Sequence, residues 1–106
     1  MEEPEAYVVT DRAGRILAWD EGATRVYGYE PHEILGRTIW LLTPTARSAD
    51  VASAWARVVA GEPLDYEADH LRKGGARVRV RGRAEPARDA TGNVVGVQGR
   101  MRRVQG

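Results

Sequence analysis

The chain has 106 residues, 42% hydrophobic and 29% charged, which allows one domain around a single core and leaves too little for two. Its 16 basic and 15 acidic residues leave a formal net charge of +1, so global electrostatics give no reason to expect nucleic acid or anionic lipid as a partner. With no cysteine, disulfides, thiolate catalysis, cysteine-ligated zinc and flavin–cysteinyl photochemistry are excluded, and no run approaches the ~20 apolar residues of a membrane span.

The first predicted element is a short β-branched strand over residues 6–10, ending in Asp11-Arg12-Ala13-Gly14. Asp at the first turn position and Gly at the last fit a type I turn, and residues 15–19 resume as a strand to complete a hairpin. Asp20 is placed to cap a helical turn or two over residues 22–27, and Gly28 suits the left-handed residue that ends it. Residues 30–36 read as a second short helix, with Pro31 at its opening and Gly36 just past its end. An apolar turn over residues 38–42 stops at Thr43-Pro44.

Residues 46–60 form the one long predicted helix. There Val51, Ala54, Trp55, Val58 and Val59 recur at spacings of three and four, the mark of a core-facing stripe. Gly61-Glu62-Pro63 ends it. The strands over residues 64–84 carry the clearest pattern in the chain: Asp65, Glu67 and Asp69 alternate, then Arg77, Arg79, Arg81 and Arg83 alternate, with Lys73-Gly74-Gly75 as the turn between. Strand side chains point alternately to opposite faces, so each run places its charges on one side. Folding back about Gly74 sets Asp69 opposite Arg79, Glu67 opposite Arg81 and Asp65 opposite Arg83. The other face then pairs His70 with Val78, Ala68 with Val80, Tyr66 with Gly82 and Leu64 with Ala84. Asp89-Ala90-Thr91-Gly92 repeats the Asp-x-x-Gly turn, and residues 94–104 form the last strand, with Val95, Val97, Gly99 and Met101 on one face. Two strands, three helical pieces and three strands joined by short turns predict an α+β fold: one antiparallel sheet, ionic above and apolar beneath, covered by the middle of the chain.

The order and spacing of these motifs resemble the PAS domain, the sensory fold of bacterial signalling proteins. Asp11-x-x-Gly14-x-Ile16-x-x-Trp19-Asp20 resembles the family's opening hairpin, whose last position is usually Asn. Gly22-Ala23-x-x-x-Tyr27-Gly28-Tyr29 followed by Glu33-Ile34-Leu35-Gly36-Arg37 resembles its most recognisable segment. Pro44, Arg72-Lys73-x-Gly75 and Asp89-x-x-Gly92-x-x-x-Gly96 match further family positions. The resemblance covers nearly the whole sequence, which is read as one domain with a core over residues 6–104. It implies a five-stranded sheet of order 2-1-5-4-3, with helices on one face enclosing a space that in some members holds haem, flavin or a small acid.

Each candidate site has a structural alternative. The family's axial haem histidine would fall on the long helix at Asp50 or nearby, where there is none, and His32 is expected to be exposed. Trp19, Trp40 and Trp55 offer a stacking surface to a non-covalent flavin, or Trp40 and Trp55 are simply core aromatics. Tyr66 and His70 point to the covered face among Val78, Val80 and Val97, where a buried hydroxyl or imidazole needs a partner: a ligand, a water or backbone. His70 would be a proton-linked switch if partly buried. The pocket candidates are therefore Trp40, Trp55, Tyr66, His70, Val80 and Val97. By the resemblance, Glu33 pairs with Arg72 or Lys73 in a structural ion pair. No Ser–His–acid spacing, buried acid pair or phosphate-cradling glycine loop supports catalysis.

The expectation is a non-enzymatic sensory module that binds a small ligand or partner. It would relay strain through the last strand to a fused effector: a histidine kinase, diguanylate cyclase, phosphatase or transcription regulator. The acidic start, Met1 to Glu5, does not suit a secretory signal, and a cytoplasmic location is expected. The competing reading is a ligand-free docking module forming a homodimer, which the charged outer face would make ionic rather than greasy. Neither nucleic-acid binding through the arginine row nor insertion into a membrane is expected.

Overall fold

The computed structural model of the protein describes residues 4–44 and 48–104. In chain order the elements are β1 (Glu5–Asp11), β2 (Ile16–Trp19), α1 (Glu21–Tyr27), α2 (Pro31–Ile34), a 3-10 turn (Ile39–Leu42), α3 (Ala49–Val59), β3 (Leu64–Leu71), β4 (Arg77–Arg88) and β5 (Val94–Arg103). The strands form one antiparallel sheet in the order β2-β1-β5-β4-β3, as the resemblance implied.

Local chemistry sets the boundaries. The Asp11 turn closes through the Gly14 amide on the Asp11 carbonyl at 3.1 Å, and Asp11 Oδ1 accepts from the amides of Ala13 and Arg15. The Asp89 turn repeats this arrangement, with Gly92 on the Asp89 carbonyl and Asp89 Oδ1 accepting from Thr91 and Asn93. Asp20 caps α1 by accepting from the Ala23 amide at 2.8 Å, and the same Oδ1 accepts from Tyr7 of β1 at 3.0 Å. Gly28 ends that helix at φ +85°, a conformation costly for any side chain. Gly22 is required for a different reason: a Cβ there would lie 1.9 Å from the Glu5 carbonyl oxygen, so α1 rests directly on the start of β1.

The β3–β4 register is the one read from the alternating charges, from Leu64 opposite Ala84 to Leu71 opposite Arg77. On the outer face Arg79 reaches Asp69 and Glu67, Arg81 reaches Glu67, and Arg83 reaches Asp65 and Glu85. β4 runs past Ala84 to Arg88 and includes Pro86. β3 has ended by then, so that side of β4 is an edge, where a residue lacking an N–H is tolerated. Toward β5 the outer face becomes one-signed, with Arg81 opposite Arg102 and Arg83 opposite Arg100. Glu5 serves both Arg100 and Arg102, and Arg100 also lies over the Tyr7 ring at 4.9 Å.

The covered face has two zones. α1 closes one with a dry core in which Ala23, Val26 and Tyr27 pack with Ala6, Val78, Val80 and Met101. The 3-10 turn and α3 span the other without filling it. Three expectations change accordingly. α3 is capped by Ser48, whose hydroxyl accepts from Val51, and starts at Ala49; the predicted start over residues 46 and 47 lies outside the described residues. Of its apolar stripe only Val58 is buried, while Val51, Ala54, Trp55 and Val59 are half-buried, because this helix stands over a cavity. Val95 is exposed rather than covered: the β4–β5 register shifts at Ala87–Arg88 and leaves it at the uncovered end of the strand.

Candidate ligand cavity

Between the sheet and α3 lies a cavity of about 400 Å³. Its floor is made by Thr10 of β1, Val97, Gly99 and Met101 of β5, Ala84 of β4, and Tyr66, Ala68 and His70 of β3. Ile39 and Trp40 from the 3-10 turn, with Val51, Ala54, Trp55 and Val58 from α3, complete the wall. Small residues in the floor explain the space: the row Val8–Gly99–Ala84–Leu64 crosses the sheet with two side chains no larger than a methyl group.

Of the six pocket candidates, Trp40, Trp55, Tyr66, His70 and Val97 line this cavity. Val80 does not. It is fully buried in the dry core under α1, on the zone of the sheet that the helix fills. Trp40 and Trp55 are half-buried wall residues rather than core aromatics. They meet edge to face with centroids 4.8 Å apart, and their indole N–H groups donate to the carbonyls of Ala13 and Arg12. Trp19 lies elsewhere, packed on Tyr27 with its indole donating to the Tyr29 carbonyl at 2.9 Å.

His70 is 8% exposed, and its Nδ1 is 2.8 Å from the hydroxyl of Tyr27, itself fully buried. Burial pulls His70 down to about 4 against the opposing pull of Asp69, so the imidazole is neutral near pH 7 and does not switch there. Burial also raises the Tyr27 phenol well above its ordinary range and pushes Tyr66 up to about 12, so both remain protonated. Tyr66 lies across Gly82, where a Cβ would come within 2.7 Å of its Cζ and Oη. Gly82 therefore makes room for the ring, as the cross-strand pairing suggested. Among the described residues, the Tyr66 hydroxyl has no hydrogen-bond partner and the His70 ring has none beyond Tyr27.

Tyr27 was not among the sequence candidates. Its position one helical turn after Ala23 marks it as core-facing, but nothing in the sequence pairs it with a strand residue 43 positions away. The same neighbourhood ties the β3–β4 turn to the helices. The Lys73 amide donates to the Tyr27 carbonyl at 2.8 Å, and the Lys73 ammonium pairs with Glu33. Of the two partners considered for Glu33, the structure selects Lys73. Arg72 lies beside Gly28, and its Nε is buried without a partner among the described residues. Hydrogen bonds from the Glu30 amide and from Lys73 hold the Glu33 carboxyl below its usual range.

The family profile described as PAS fold matches residues 3–106. The chain belongs to the PAS-fold family. The PAS domain of a protein from Colwellia psychrerythraea superposes with a TM-score of 0.86 at 25% identity, covering 94% of this chain and 86% of that one. A domain of a sensory box sensor histidine kinase/response regulator from Geobacter sulfurreducens gives 0.77 at 24% identity, covering 92% and 82%. A light-oxygen-voltage domain from a study with a flavin analogue gives 0.78 at 23% identity, covering 95% and 78%. No curated protein matches the sequence significantly.

The cavity of this PAS domain fits the cofactors of the fold poorly. α3 presents Val51, Ala54, Trp55 and Val58 and no imidazole for a haem iron. A flavin would find no cysteine for an adduct and, among the described residues, one lining cation, Arg77, for its phosphate. Among the described residues no cluster of three or more His, Asp or Glu could hold a metal ion, and no helix is long and apolar enough to cross a membrane.

Proposed function

We propose that the chain is a cytoplasmic sensory module that takes a small molecule into the cavity between the sheet and α3 and passes its occupancy to a fused signalling effector. The observation that carries this reading is the cavity of about 400 Å³, within the range of small-molecule sites, left by a helix that spans the sheet without filling it. Trp40, Trp55, Tyr66, His70 and Val97 would touch the guest. β5 is the natural relay. It is the central strand, its Val97, Gly99 and Met101 face the cavity, and its Arg100 and Arg102 face the opposite side. The effector would be a histidine kinase, diguanylate cyclase, phosphatase or transcription regulator. The module itself would carry out no chemistry.

Cavity filling tests the reading. Ala84→Leu puts an isobutyl group into the floor. Guests detected by native mass spectrometry or by chemical-shift changes against a fragment library should be lost in this variant while the circular dichroism spectrum is retained. Guests that bind unchanged would remove the cavity from the mechanism.

A second reading, a docking module that pairs with its own kind, rests on the outer face. Acids on β3 and arginines on β4 and β5 are segregated into stripes, so two copies face to face can lay acid over base. Sedimentation separates the readings: an ionic dimer loosens between 0.05 and 1 M salt, following the fall in Debye length to about 3 Å.

A further inference from the structure

Resting on the cavity reading above, we infer that the guest is an uncharged, largely apolar molecule bearing a hydrogen-bond acceptor, a carbonyl or ring nitrogen, that receives a hydrogen bond from Nε2–H of His70 and from the hydroxyl of Tyr66. Tyr27 determines this through the tautomer of His70. The Tyr27 hydroxyl is fully buried, and His70 Nδ1 at 2.8 Å is its one partner among the described residues. A phenol has a single proton to donate. If Nδ1 carried the ring proton, that phenolic proton would be left buried without an acceptor, at a cost of about 1–3 kcal/mol. Tyr27 therefore donates to Nδ1, and the imidazole proton sits on Nε2.

His70 lines the cavity and can offer it only a donor. Tyr66, on the same face of β3 with its ring 6.1 Å from that of His70, adds an O–H with no protein partner among the described residues. The indole N–H groups of Trp40 and Trp55 are already committed to backbone carbonyls, and the Thr10 hydroxyl to that of Asp11. Among the described residues the charged lining groups, Asp50, Asp69 and Arg77, are all exposed and belong to the rim. Among the described residues the inner wall thus holds no ion to pair with a charged guest, whose desolvation would go uncompensated there.

Two measurements test the inference on the intact chain. Long-range ¹H–¹⁵N correlation at pH 7 should show His70 with a pyrrole-type Nε2 and a pyridine-type Nδ1; the reverse pattern overturns it. Four matched probes then test the guest class: 2-acetylnaphthalene, its isostere 2-isopropenylnaphthalene, 2-ethylnaphthalene and 2-naphthoate. The ketone should bind about ten-fold more tightly than either hydrocarbon, the naphthoate most weakly, and Tyr66→Phe should cut the ketone's advantage without altering the hydrocarbons. Equal binding of ketone and hydrocarbons would overturn the acceptor assignment while leaving the cavity reading intact. Failure of all four to bind a folded chain would remove the cavity reading and this inference together.

Discussion

Acidification should destabilise this fold before its carboxylates titrate, and His70 is the reason. Its ordinary value is 6.5, and burial lowers it to about 4 in the folded chain. The unfolded chain therefore binds a proton between those values that the folded chain refuses. The folded-state value is the depressed one, so stability is fully present above about pH 6.5 and is lost as pH falls toward 4. At 1.36 kcal/mol per pH unit the complete loss is about 3 kcal/mol, and about 2 kcal/mol of it is spent by pH 5. Protonation also removes the acceptor that Tyr27 uses at Nδ1. Urea unfolding at pH 7.5 and pH 5.0 measures the effect, with His70→Phe as the reference. The variant's fixed cost from losing the Tyr27 bond cancels in the difference between the two pH values, as does the drift from carboxylates. Wild type should lose about 2 kcal/mol more than the variant over this interval. Parallel losses, or a His70 titration by NMR with a midpoint near 6.5, would refute the reasoning, and the NMR arm holds even if the variant folds poorly.

Tyr66→Phe should leave stability unchanged or raise it, since it removes a hydroxyl without a protein partner among the described residues, whereas Tyr27→Phe should cost about 1–3 kcal/mol by stranding His70 Nδ1; thermal melts of the two variants make the comparison. Gly82→Val drives a side chain into the Tyr66 ring and should cost about 1–3 kcal/mol in chemical denaturation while weakening any guest in the cavity. Asp20→Ala should cost about 1–2 kcal/mol through loss of the α1 cap and the Tyr7 bond, and Asp20→Asn should be near neutral because Asn caps equally well. Glu67→Gln, which breaks the contacts to Arg79 and Arg81, should lower the urea midpoint slightly in 10 mM salt and not at all in 1 M; a salt-independent drop would contradict a screened surface network.

Strand pairing and turns were legible in the sequence because they are written by neighbours. Acid and arginine runs with a period of two determine the β3–β4 register by themselves, since a one-residue slip would move every apolar side chain to the solvent face. The two Asp-x-x-Gly turns, the Asp20 cap and the Gly28 end are likewise decided within four residues of chain. Periodicity also showed which side of α3 faces inward, but it could not say that this side stands off the sheet. The cavity exists because Gly99, Ala84 and Ala68 come together from three strands beneath α3, with Ile39, Trp40 and Trp55 in its wall, a volume summed over residues distant in sequence. For the same reason the sequence could offer both Arg72 and Lys73 to Glu33, place Val80 in the pocket, and pass over Tyr27. Alternation assigns a side chain to a face; only packing decides what lies opposite it, whether a helix, another side chain or empty space.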